Sequence, residues 1–332
     1  MVAAVLSDGG WGTALALTLL GNGHRVTLWG PFADNIAAMR QARENARFLP
    51  GVALPASLAL SGDLAEAVAG ADLLVLAAPA QYARSLLERL RDLPLASQPL
   101  LVNVAKGIEV GSLLRMSELA RAVLGPLRYA VLSGPSHAEE VARGIPTAVV
   151  AASAEAAVSQ AVQAAFMSDV FRVYTSDDVV GVELGGALKN VLALAAGVCD
   201  GMGFGDNTKA ALMTRGIVEM ARLGAAFGGR PETFSGLSGM GDLIVTCTSR
   251  HSRNRHVGEE LGRGARLEEI TRAMGGKVAE GVATADSAYG LARRAGVETP
   301  IIDQVHAGLY EGRDPRTAVR ELMTRDAKPE RL

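Results

Sequence analysis

Four segments of this 332-residue sequence set polar residues of chemical consequence among apolar and glycine-rich neighbours. Leu101-Val-Asn-Val-Ala-Lys106-Gly107 reads as a strand ending on an ammonium. Carboxyl ends of strands in an open α/β sheet face the ligand crevice, so Lys106 is placed to meet a substrate; a solvated loop lysine is the plainer alternative. Within Gly181–Val191, Lys189 stands beside Asn190 in an apolar helical pattern. A buried ammonium is costly unless paired, and burial lowers its pKa toward values useful for proton transfer, although a structural ion pair would look the same. Further on, Asp242 and Thr246 flank an apolar turn ahead of Ser252-Arg253-Asn254-Arg255. Arginine grips phosphate through a planar fork and asparagine adds a neutral donor, but a solvated helix start has the same composition. Val131-Leu-Ser133-Gly134-Pro135-Ser136-His137-Ala138 runs from a strand into a small-residue turn. Its amides and Ser136 suit an anion or a cofactor end, or else a simple helix cap. That all four occur in order in one chain favours the functional reading of each.

A fifth segment is glycine-rich. Ala3-Ala-Val-Leu6-Ser7-Asp8-Gly9-Gly10-Trp11-Gly12 has the strand, turn and helix order of a dinucleotide site, in which glycines let the backbone approach a pyrophosphate held on helix amides. The usual fingerprint is G-x-G-x-x-G. Here Ser7 takes the first position and Gly9 and Gly12 the other two. Serine disfavours positive φ, so an altered first turn is expected, and the Asp8 carboxylate should repel a diphosphate unless it points away. An acid about 20 residues on would hold the adenosine ribose, and an arginine there would accept a 2′-phosphate. Strand two instead ends Trp29-Gly30-Pro31-Phe32, and Arg25 and Arg40 are expected to be solvated. The loop predicts a dinucleotide without choosing between NAD and NADP.

The elements that must position these residues alternate in the first half. Strands are predicted at Ala3–Leu6, Arg25–Trp29, Asp72–Ala77, Leu100–Val104, Tyr129–Leu132 and Thr147–Ala151, separated by helical sequence. That alternation predicts a doubly wound parallel sheet. After about Asp178 the pattern turns helical: Ala/Leu/Gly-rich segments at 179–200 and 207–228, then amphipathic ones at 256–274, 283–295, 302–311 and 315–324. The expected organisation is an α/β dinucleotide-binding domain over 1–178 and an all-helical substrate domain over 179–332.

Composition bounds the function. A net charge of −2 lacks the basic face of a nucleic-acid binder. Two cysteines, Cys199 and Cys247, make no disulfide framework and fit a reducing compartment. Met1–Leu6 has no basic leader and does not read as a signal peptide. The apolar stretch 179–198 carries Glu183, Lys189 and Asn190. A central lysine costs roughly 2.5–3.5 kcal/mol in a membrane helix, so a buried core helix is expected rather than an integral membrane segment.

Long segments of the chain resemble the bacterial NAD(P)-dependent glycerol-3-phosphate dehydrogenases. They are Gly10–Ala16, Lys106–Glu109, Leu132–Ser136, Phe171–Tyr174, Gly181–Glu183, Leu188–Asn190, Gly239–Thr248, Ser252–Arg255 and Glu280-Gly281. The resemblance implies a Rossmann-like sheet and a helical domain of the 6-phosphogluconate dehydrogenase C-terminal type. It implies a phosphorylated triose as substrate, NAD(P) as cofactor, a role in phospholipid synthesis, a cytoplasmic setting and a homodimer. By this resemblance Lys189 is the proton donor to dihydroxyacetone phosphate and Lys106 polarises its oxygen. Gly134 and Ser136 line the substrate pocket, Asp242 and Thr246 order the lysine, and Ser252, Arg253 and Asn254 take the phosphate. Cofactor contacts fall to Gly9, Gly10, Trp11, Gly12, Lys106, Ala138, Arg253, Val278 and Glu280. A dehydrogenase acting on a different hydroxyacid and a non-catalytic dinucleotide sensor are the alternatives.

Overall fold

The computed structural model describes residues 1–95, 99–327 and 329–330. The chain divides into two compact units, one of 1–105 with 114–179 and one of 106–113 with 180–332. The short excursion 106–113 thus groups with the helical residues although it follows a strand of the sheet.

Among the described residues the first unit is built on ten strands: β1 (Val2–Leu6), β2 (Arg25–Trp29), β3 (Glu44–Asn45), β4 (Leu49–Ala53), β5 (Ala59–Ser61), β6 (Leu73–Leu76), β7 (Leu100–Asn103), β8 (Arg128–Ser133), β9 (Thr147–Ala152) and β10 (Phe171–Ser176). Eight form one sheet in the order β10-β9-β8-β7-β6-β1-β2-β5, while β3 and β4 make a separate hairpin. From β5 to β8 neighbours run parallel, with β1 between β2 and β6; Ala4, for example, lies opposite Thr27 and Leu74. This is the doubly wound order, whose reversal at β1 creates the crevice for a dinucleotide. β6 and β7 are buried throughout, as strands covered on both faces must be. The helices between strands are α1 (Gly10–Gly21), α2 (Ala33–Ala42), α3 (Leu64–Val68), α4 (Ala80–Arg91), α5 (Met116–Leu124), α6 (Ala138–Val141) and α7 (Ala156–Phe166).

Two features depart from the sequence-based expectation. β9 pairs antiparallel with β8, and β10 joins it in parallel, so the last two strands run against the other six. β10, β5 and the β3–β4 hairpin were not expected from the sequence. β10 alternates buried Phe171 and Val173 with exposed Arg172 and Tyr174, the half-covered pattern of an edge strand rather than the apolar run of an inner one. Arg40 is exposed, as expected, and it also donates to the Leu60 carbonyl at 2.6 Å, which ties α2 to β5.

The second unit contains α8 (Val179–Gly201), α9 (Asp206–Ala226), α10 (Pro231–Phe234), a π-helical turn at Leu237–Gly241, α11 (Asp242–Thr248), α12 (Arg253–Gly262), α13 (Leu267–Ala273), α14 (Glu280–Ala295), α15 (Pro300–Tyr310) and α16 (Pro315–Met323). The helix expected over 256–274 is two helices, broken by a turn in which Gly264 takes φ +96°. α8 is the axis of this unit: it is long and apolar enough to cross a membrane, yet 83% of its most apolar window is buried inside the fold. Its small residues allow a very close approach of α12. A Cβ on Gly197 would stand 2.0 Å from the Arg255 carbonyl oxygen, and one on Gly258 would stand 2.0 Å from that of Leu194. That approach brings the start of α12 beside Lys189 and Asn190. We expect Gly258→Ala to force these backbones apart and cost about 1–3 kcal/mol, the usual penalty of overpacking. Denaturant unfolding with an unchanged midpoint would show that the crossing tolerates a methyl group.

Candidate active site

Within the second unit, one carboxylate organises two lysines. Asp242, the first residue of α11 and only 1% exposed, accepts from Lys106 Nζ at 2.6 Å through one oxygen and faces Lys189 Nζ at 3.1 Å through the other. Lys189 also donates to Thr246 Oγ1 at 2.8 Å, whose hydroxyl donates in turn to the Asp242 carbonyl at 2.6 Å, one helical turn back. Burial would raise the Asp242 carboxyl, but the two ammonium groups outweigh it and hold it below the ordinary range. For Lys189 burial wins. Desolvation, reinforced by the neighbouring Lys106 charge, lowers its pKa to about 8 against the pull of Asp242 and Glu280. An ammonium poised near neutrality beside a fixed anion is suited to giving and taking a proton.

Asparagines join the elements around this cluster. Asn190 Nδ2 donates to the Lys106 carbonyl at 2.9 Å, fixing the backbone that carries that lysine. Asn254 Nδ2 donates to Asn190 Oδ1 at 2.9 Å, and Asn254 Oδ1 accepts from the Gly281 amide at 2.9 Å. Ser252 caps α12 by accepting from the Arg255 amide at 3.2 Å, while Arg253, the first helical residue, is exposed. Arg255 is not free for a ligand, being bonded to Asp200 at 2.6 Å. Glu280 opens α14 and Val278 lies half-buried just before it. The structure therefore gathers Lys106, Lys189, Asp242, Thr246 and Asn254 into one bonded network, and puts Ser252 and Arg253 at the adjoining helix start. In the sequence Asn190 stands out only as the neighbour of Lys189. Its linking role depends on which way a helix face turns, which neighbours in sequence do not reveal.

In the first unit the glycine loop has the expected strand–turn–helix form. Ser7 adopts φ +149° despite its side chain, and its hydroxyl accepts from the Gly9 amide at 3.3 Å. The turn is thus kept at the cost of strain rather than altered. A Cβ on Gly12 would stand 2.1 Å from the Ser7 carbonyl oxygen, and one on Gly10 2.7 Å from that of Phe48. Gly9 caps α1 with no side-chain bond, which leaves the first amides of a twelve-residue helix to a ligand. Trp11 Nε1 is buried without a partner. Backbone pressed close, amides unspent and an orphan donor fit a dinucleotide diphosphate. The loop is braced by Asn45, which donates to the Asp8 carbonyl at 2.7 Å and to Thr13 Oγ1 at 2.8 Å. Asn45 ends the short strand β3, and nothing in its local sequence marks it. Gly134 takes φ +142° where a Cβ would stand 2.9 Å from Val149 Cα. Ser136 Oγ donates to the Gly134 carbonyl at 2.8 Å, and Ala138 begins α6 beside Gly10.

Comparison with known proteins identifies the family. The N-terminal model of the NAD-dependent glycerol-3-phosphate dehydrogenases matches residues 2–159, and the C-terminal model matches 178–320. The chain belongs to this family. It is 54% identical to a glycerol-3-phosphate dehydrogenase [NAD(P)+] of Geobacter metallireducens over 330 residues, 98% of each chain. It is 53% identical to the enzyme of that name from Geobacter sulfurreducens, again over 98% of both. The crystal structure of glycerol-3-phosphate dehydrogenase from Coxiella burnetii superposes with a TM-score of 0.94 at 40% identity, covering 98% of this chain and 99% of that one. Members of the family use NAD(P); the glycine loop and Lys106 fall in the span matched by the N-terminal model, and Lys189 and Asp242 in that matched by the C-terminal model. Replacing Asp242 by Asn would remove the anion that keeps Lys189 charged. The Lys189 titration, followed by NMR of lysine side chains, is expected to fall below about 8; a midpoint unchanged or higher would mean that other groups set it.

Proposed function

We propose that the chain catalyses the reversible reduction of dihydroxyacetone phosphate to sn-glycerol 3-phosphate with NADH or NADPH, supplying the glycerol backbone of phospholipids. The observation that carries this reading is the single buried carboxylate held between two lysines, one of them poised near pH 8. The reduced nicotinamide, when bound, supplies the hydride that reaches C2 of the triose. Lys189 delivers a proton to the oxygen that becomes negative at that carbon, and accepts it back in the oxidation. Lys106 adds positive charge at the same oxygen, a preorganised stabilisation of the kind that dominates such steps. Asp242 holds both ammoniums in place, and Thr246 fixes the direction of Lys189. No metal is required by this scheme. Ser252, Arg253 and Asn254 take the phosphate, whose distance from the reacting carbon makes it an orienting handle. Gly134 and Ser136 complete the triose contacts. Gly9, Gly10, Trp11, Gly12 and Ala138 hold the dinucleotide, with Lys106, Arg253, Val278 and Glu280 approaching it as well. We place the enzyme in the cytoplasm, in line with its two buried free thiols, and read it as a homodimer.

Lys189→Ala should lower turnover by about 10²–10⁴-fold, the span of general acid–base contributions, while dinucleotide binding measured by calorimetry stays intact. Near-normal turnover would remove the proton-transfer role. In wild-type protein, reduction needs Lys189 protonated, so its rate should fall as pH rises through about 8, whereas oxidation needs it neutral and should rise over the same range. Profiles that move in the same direction would contradict the assignment. Arg253→Ala should raise KM for dihydroxyacetone phosphate by about 10–100-fold, as loss of a charged hydrogen bond does. It should affect the poor turnover of unphosphorylated dihydroxyacetone far less. Equal use of the two ketones by wild-type protein would sink the phosphate reading.

A further inference from the structure

Dinucleotide sites of this topology carry an acidic side chain at the end of the second strand, about 20 residues past the last loop glycine, which accepts the adenosine ribose hydroxyl and turns away a 2′-phosphate. Here that place falls on Gly30, 18 residues after Gly12. The space over Gly30 is nevertheless filled by a carboxylate. A Cβ built on Gly30 would stand 2.5 Å from Asp8 Cγ and 2.6 Å from Asp8 Oδ2. Asp8 therefore reaches across from the loop after β1 to the end of β2, away from the helix amides that meet a diphosphate. Asn35 of α2 donates to its Oδ2 at 2.7 Å and holds it there. Both side chains are buried, Asp8 at 2% and Asn35 at 7% exposure.

We infer that Asp8 supplies, from the first loop, the negative charge normally carried at the end of the second strand, and that it makes the enzyme favour NAD(H) over NADP(H). Two observations support this. An acid at residue 30 could not coexist with Asp8, so the two arrangements are mutually exclusive ways of filling one space. A carboxylate buried without purpose would be costly, and this one is given a dedicated donor. Burial raises the Asp8 carboxyl above its ordinary range, and the Asn35 hydrogen bond and the Arg47 charge only partly offset that. The counterweight is Arg47 itself, whose guanidinium lies over the rings of Phe32 at 4.8 Å and Phe48 at 5.0 Å. As a cation whose charge reaches Asp8, it is a group that would receive a 2′-phosphate if the preference ran the other way. The inference rests on the dinucleotide reading of the loop and adds to it which dinucleotide is chosen.

The test is calorimetric binding of NADH and NADPH to the full chain without triose, for wild type, Asp8→Asn and Asp8→Ala. Wild-type protein should bind NADH at least about tenfold more tightly than NADPH. Both substitutions should shrink that ratio by about tenfold, mostly through gain for NADPH, because each removes the charge. Should the variants fail to fold, 5′-AMP and 2′,5′-ADP on wild-type protein decide alone, with 5′-AMP expected to bind more tightly. A ratio unchanged in both variants overturns the inference. So does wild-type preference for NADPH or 2′,5′-ADP, which a loss in Arg47→Ala would trace to the guanidinium. Binding of neither dinucleotide would instead remove the dinucleotide reading, and this inference with it.

Discussion

The second unit turns on one ionic arrangement, a buried carboxylate shared by two ammonium groups. Burial, with the Lys106 charge added to it, outweighs what one carboxylate can return, and together they lower Lys189 to about 8. Removing charges from water costs several kcal/mol each unless they are closely paired. The surrounding helices must therefore hold three side chains within hydrogen-bond distance. α11 contributes Asp242 and Thr246 one turn apart, α8 contributes Lys189, and the segment 106–113 contributes the second lysine. Such a cluster adds little to stability. Its effect is to hold one ammonium close to neutrality.

Close backbone packing makes that arrangement attainable. α8 is too crowded by its neighbours for any side chain at Gly197, and α12 meets it at Gly258 with equal intimacy. The resulting approach lets the short side chains of Asn190 and Asn254 bond directly, so the start of α12 is tied to the helix that carries Lys189. The same economy appears in the first unit, where Gly10 and Gly12 admit the backbone of Phe48 and Ser7. Ser7 bears a strained φ to preserve a turn that glycine would make freely. A position that departs from the usual fingerprint has kept its geometry and changed only its chemistry.

Asp8 extends that point. In the sequence it is an anomaly, a carboxylate written into a loop meant for a diphosphate. Its neighbours in space, Gly30 and Asn35, lie more than 20 residues away and give it a direction and a donor. The missing acid at the end of strand two and the extra acid in the first loop are one feature divided between two places.

Periodicity in the sequence alone determined the sheet-then-helix order, because apolar runs and 3.6-residue spacing report burial directly. Residue types at Lys106, Lys189, Asp242 and Ser252–Asn254 identified the chemistry, since few surroundings other than a site put charge in apolar sequence. Local pattern could not find β5, the β3–β4 hairpin or the reversed β9–β10 pair, whose short or half-covered strands have no long apolar run to announce them. Nor could it place Lys106 with the helices rather than the sheet, or assign Asn190 and Asn45 their linking bonds. Tertiary structure alone decided which carboxylate meets which ammonium and which way Asp8 points. Those answers depend on distances between residues that are remote along the chain, and spacing in sequence carries no information about them.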